Sequence, residues 1–63
     1  MPIIDITLLE GRDLATKQAL LRNVTDAVEK TLNAPRESIR VLVREVPKSH
    51  YAVGGIPKSE SQQ

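Results

Sequence analysis

Cysteine, tryptophan and phenylalanine are absent from this 63-residue chain, and histidine, tyrosine and methionine occur once each. Each absence closes a route. Without cysteine there are neither disulfides nor thiolate metal sites. His50 has no second histidine or cysteine beside which to hold a structural zinc ion, so no metal is expected. Tyr51 is the only aromatic, and charges of both signs are scattered to a net +1. The basic stripe with stacking aromatics that marks nucleic-acid binding is therefore missing. No run approaches the roughly 20 apolar residues that span a bilayer, and the start lacks the basic and apolar regions of a secretory signal. A soluble, cytoplasmic protein without nucleic-acid or membrane partners is expected.

A chain this short makes one domain at most, 1–63, and buries too little surface to be comfortably stable unaided. With disulfides and metal removed, association with copies of itself is the remaining device.

Ile3 to Leu9 reads as a strand. Ile4, Ile6 and Leu8 form one wholly apolar face, whereas Ile3, Asp5, Thr7 and Leu9 form a mixed one. Glu10-Gly11-Arg12 breaks the pattern, and Asp13 is placed to cap a helix from Leu14 to about Leu32. Its apolar stripe is Leu20, Val24, Ala27, Val28 and Leu32, with Leu21 at the margin. Asn33, which tolerates a left-handed backbone, and Pro35 end it. A second strand, Ile39 to Val46, again carries apolar residues on both faces.

Strand, amphipathic helix, strand predicts a βαβ unit with parallel strands and a right-handed crossover. One helix covers one sheet face, so the other face argues for a second subunit. Beyond Pro47, Gly54-Gly55 suits a tight hairpin turn. The polar tail from about 57 is expected to fray. The fold class is α/β: a short, oligomeric βαβ subunit with a small C-terminal hairpin.

Phosphate loops, nucleophile elbows and metal-ligand runs are all missing. Chemistry then rests on Pro2, the arginines and a few carboxylates. Once the initiator Met is removed, Pro2 carries a secondary amine. A terminal amine starts near pKa 7.7–8.0, and an apolar pocket beside fixed positive charge lowers it further. Such a nitrogen can act as a general base at neutral pH. Read alone, however, Pro2 is an ordinary strand-start proline whose missing N–H costs nothing. Arg12, in the turn past the first strand, and Arg40, inside the second, offer the planar fork that grips carboxylates, although most arginines simply reach solvent.

Pro2 and Arg12 lie at opposite ends of a seven-residue strand, more than about 20 Å apart at about 3.3 Å per residue. They can meet on one small substrate only if the arginine comes from a neighbouring subunit. Arg40 differs, because parallel pairing brings the starts of the two strands together.

Pro2 directly after Met1, LLEGR closing the first strand, SIRVLVREV as the second and SHYAVGG near the end together resemble the 4-oxalocrotonate tautomerase family. The match runs from Pro2 to about Gly55. The resemblance implies a tautomerase-like homohexamer, a trimer of dimers, and a cofactor-free isomerase of aromatic hydrocarbon catabolism. It implies that Pro2 is the general base converting a 2-hydroxydienoate, such as 2-hydroxymuconate, to its 2-oxo-enoate. Arg12 is similar to the family's clamp on the distal carboxylate, given from another subunit, and Arg40 to the clamp on the carboxylate and 2-oxygen at the reacting end. Tyr51 stands where the family normally has phenylalanine walling the pocket, with Leu9 and Val53 as further substrate-binding residues.

Two other readings accompany this one. A non-catalytic oligomeric binding homologue would keep the fold, and a retained Met1 would lock the prolyl nitrogen in an amide. A related enzyme could act on monoacid keto–enol pairs. Hydratase or dehalogenase activity ranks lower, because His50 to Ile56 contains no carboxylate to activate water. His50 reads as an ordinary hairpin residue.

Overall fold

A computed structural model describes residues 1–60 of the chain. Strand β1 spans Ile3–Leu9, helix α1 Leu14–Leu32 and strand β2 Arg40–Val46, and a hairpin follows from β3 Ala52–Val53 and β4 Ile56–Pro57. Short 3-10 turns occupy Arg36–Ser38, Lys48–His50 and Lys58–Glu60. The end of the expected tail, 61–63, lies outside the described residues.

β1 and β2 are parallel, in register from Ile3 opposite Arg40 to Leu9 opposite Val46. The strand period of two then sorts the side chains. Ile4, Ile6 and Leu8 of β1, with Val41 and Val43 of β2, are half-buried on the face that α1 covers. Ile39, just before β2, is the only buried apolar residue among those described, at 9% exposure. β2 starts one residue later than the pattern predicts because the Ile39 N–H closes the preceding 3-10 turn on the Arg36 carbonyl.

The opposite face is open, with Ile3 65% and Leu42 43% exposed. Across it Arg44 grips Asp5 in a two-bonded pair, Nε to Oδ1 and Nη2 to Oδ2, both at 2.9 Å. The same bonds push the Arg44 guanidinium pKa above its ordinary value.

α1 begins and ends as its residues dictate. The Asp13 carboxylate accepts the Thr16 N–H at 2.9 Å, capping an otherwise orphan donor and lowering the Asp13 pKa. Asn33 takes the left-handed conformation, φ 54°, that stops the helix. The helix is tied to its surroundings by Lys17 to Glu45 of β2 at 2.9 Å, and by Arg36, which reaches back to Asp26 at 2.7 Å and Glu29 at 2.9 Å.

The apolar stripe is narrower than the sequence predicts. Leu20, Leu21, Val24 and Val28 are half-buried, but Ala27 and Leu32 are exposed. A two-stranded sheet is too small for a 19-residue helix to bury its whole stripe on it.

From Pro47 onward the chain leaves the βαβ body as an arm. Gly54 and Gly55, at φ 60° and 83°, supply the two positive-φ positions of a tight two-residue hairpin turn. The Lys58 N–H donates to the Tyr51 carbonyl at 2.6 Å, closing the arm on itself. The result is an elongated subunit of 43 × 24 × 14 Å with a radius of gyration of 14.8 Å. A compact domain of this length would have about 11 Å.

Candidate active site

The expected site residues fall at two ends of the sheet. At the head of β1, the Pro2 carbonyl accepts the Arg40 N–H at 3.0 Å, so strand pairing places the backbones of Pro2 and Arg40 side by side. Pro2 is half-buried, whereas the Met1 that precedes it is 80% exposed. The Arg40 guanidinium is exposed and donates through Nη1 to the Glu37 carbonyl at 2.8 Å. The 3-10 turn Arg36–Ser38 thus both delivers the chain to β2 and gives the Arg40 head a resting contact.

At the tail of β1, Thr7, Leu8, Leu9, Arg12, Val46 and Tyr51 line an open groove of about 250 Å³. Arg12 arrives there because Gly11, at φ 128°, lets the backbone turn sharply after the strand. Its Nη1 makes one long contact, 3.5 Å, to the Leu9 carbonyl. Tyr51 comes from the arm, its backbone held on both sides: its N–H donates to the Lys48 carbonyl at 3.3 Å, and its carbonyl accepts from Lys58. The Glu10 N–H, bonded to the Val46 carbonyl at 3.0 Å, continues the sheet pairing into the groove wall.

Within one chain, then, Pro2 and Arg40 are together, Arg12, Leu9 and Tyr51 are together, and the length of β1 separates the two groups. Val53 belongs to neither; it is 66% exposed on the hairpin and does not line the groove. Sequence reasoning missed Thr7, Leu8 and Val46 as groove residues. The signal was available, since parallel register sets Leu9 opposite Val46 at the strand ends that meet Arg12.

One end brings Pro2 and Arg40 together through their backbones, and the other offers a partly apolar groove that Arg12 helps to line. Among the described residues, no three side chains of His, Asp or Glu converge as metal ligands would. No helix among them is long and apolar enough to cross a membrane.

A parallel βαβ unit with Pro2 and Arg40 at one end and Arg12 at the other defines the class as a small α/β protein. The family model for tautomerase enzymes matches residues 2–60, and the chain belongs to that family. A probable tautomerase of Ralstonia nicotianae is 49% identical over 63 residues, covering 100% of this chain and 90% of that protein. The 2-hydroxymuconate tautomerase of Pseudomonas putida is 43% identical over 60 residues, 95% of each chain. Among solved structures, a heterohexamer 4-oxalocrotonate tautomerase from Chloroflexus aurantiacus superposes with a TM-score of 0.89 at 37% identity, covering 95% of this chain and 97% of that one. The 4-oxalocrotonate tautomerase likeness is thus carried by sequence and fold alike, and the chain is an isomerase.

Proposed function

We propose that this isomerase converts a 2-hydroxydienoate, such as 2-hydroxymuconate, to its 2-oxo-enoate, with Pro2 as the base once Met1 has been removed. The prolyl nitrogen takes the enol O–H proton, the 2-oxygen becomes a carbonyl as the double bonds shift along the chain, and the proton is returned to a diene carbon. No atoms are gained or lost. Arg40 grips the near carboxylate and the 2-oxygen, where its positive charge stabilises the charge that develops during transfer. Arg12 of a neighbouring subunit holds the distal carboxylate, with Leu9 and Tyr51 as groove walls. Val53 can contribute only if assembly folds the arm against a neighbour.

The observation that supports this reading is the Arg40 N–H bond to the Pro2 carbonyl, which holds the backbones of Pro2 and Arg40 next to each other at one end of the sheet. The exposed position of Met1 supports its removal by processing. Ile3 and Leu42, exposed on the open mixed face, and the nearly coreless chain support self-association, for which we propose a homohexamer, since a 7.0-kDa folded monomer should expose about 4,000 Å² and this chain exposes 4846 Å².

Intact-mass measurement followed by a dienol ketonisation assay tests the proposal. Protein short by one methionine should turn over 2-hydroxymuconate, and Pro2→Ala should lose most of that rate. Unchanged turnover in Pro2→Ala would sink the assignment of the base.

A further inference from the structure

We propose that Tyr51 is a specificity-determining residue, its hydroxyl donating to the same distal oxyanion that Arg12 grips; this rests on reading the groove as the far end of a diacid site. Three features point there. The groove pairs an apolar wall of Leu8, Leu9 and Val46 with three polar side chains, Thr7, Arg12 and Tyr51. That lining suits a hydrocarbon skeleton ending in an anionic oxygen group and gives an apolar end nothing to satisfy the donors.

The donors are also uncommitted. Among the described residues the Tyr51 hydroxyl makes no hydrogen bond, and Arg12 spends one N–H on a 3.5 Å contact. A carboxylate has about four acceptor positions and a guanidinium fork fills two, so a phenolic donor has room on the same group. Finally, the Tyr51 backbone is bonded on both sides within the arm, to Lys48 and Lys58, so the ring starts from a fixed base even though it is 44% exposed. A donor placed in advance discriminates more sharply than one that must be ordered on binding.

The consequence is selectivity. A substrate with a carboxylate at its far end gains the Tyr51 bond in addition to the Arg12 fork. One ending in a methyl or aryl group gains neither bond and leaves both donors to water.

Two measurements on the Met-processed protein test this without relying on turnover. Calorimetry with muconate, a diene diacid, should give roughly tenfold weaker binding to Tyr51→Phe than to the wild type, the loss expected for a hydrogen bond to a charged group. Because Tyr51 is the only aromatic residue, the near-ultraviolet spectrum belongs to it alone. Saturating adipate, which is transparent there, should shift that band to the red in the wild type but not in Arg12→Ala. Binding of muconate that changes less than twofold in Tyr51→Phe, a band unmoved by saturating adipate, or no muconate binding by the wild type would each overturn the proposal. A ketonisation assay that fails while both signals appear would overturn the tautomerase reaction and leave this assignment standing.

Discussion

Mixing two inactive variants tests the division of the site between subunits. Pro2 precedes the head of β1 and Arg12 lies just beyond its tail. Seven residues at about 3.3 Å each place them more than about 20 Å apart, several times the length of a six-carbon diacid. Pro2→Ala replaces the rigid secondary amine of every chain with a mobile primary one, for which we expect a loss of roughly 10²-fold or more. Arg12→Ala removes the distal clamp, for which the loss of a charge-assisted pair suggests roughly 10²-fold in kcat/KM. When the two are denatured, mixed in equal amounts and refolded together, half the chains carry each defect. A site that draws Pro2 from one chain and Arg12 from a neighbour finds both intact about one time in four. The mixture should therefore recover about a quarter of wild-type activity, although neither component exceeds about a hundredth. Loss of dienol absorbance gives the rate, and native mass spectrometry verifies that mixed assemblies form. If one chain supplied both residues, no combination would restore a site, and the mixture would run at the mean of its components. That result would refute the shared-site reasoning.

Other outcomes follow from the same geometry. Protein that retains Met1 should be slower than processed protein by roughly 10²- to 10⁴-fold, because an amide nitrogen cannot act as the base; equal rates in mass-verified samples would contradict this. The melting temperature should rise with protein concentration, since Ile39 is the one apolar residue buried among those described and much of the stability is expected from association; a melt independent of dilution would show otherwise. Arg36→Ala should lower the melting temperature by a few degrees, less so in high salt, because both of its carboxylate partners are about half exposed. Asp13 is held below its ordinary pKa of 3.8 by its bond to Thr16. Its stabilisation is thus fully present above 3.8 and lost as pH falls through the lower folded value. Asp13→Asn, which keeps the cap, should flatten that acid limb in melts run down to about pH 2, and an unaltered limb would assign it to another group.

The elements were legible in the sequence where local chemistry sets them. Asp13 and Asn33 mark the helix ends, alternation marks β1, and Gly54-Gly55 marks the hairpin, because each signal acts over a few residues. Features that depend on distant geometry were not legible. Periodicity assigned Ala27 and Leu32 to the covered stripe without knowing how little sheet there is to cover them. Arg36 showed no sign of stapling the turn to Asp26 and Glu29, since that pairing exists only once the helix is formed. For the candidate site, Pro2, Arg40 and Arg12 stood out by residue type and position. Thr7 and Val46 did not, because their place in the groove follows from the register of two strands 30 residues of chain apart.

The bond that fastens the Pro2 carbonyl to β2 also bears on how such a chain can be joined to others. In the proposed mechanism the residue is held at its carbonyl side while its nitrogen is left bare, so nothing could be fused ahead of it without silencing it. A tandem duplication of this gene, read through as one polypeptide, would carry two sets of arginines and one working amine. An affinity handle for purification belongs, for the same reason, after Gln63.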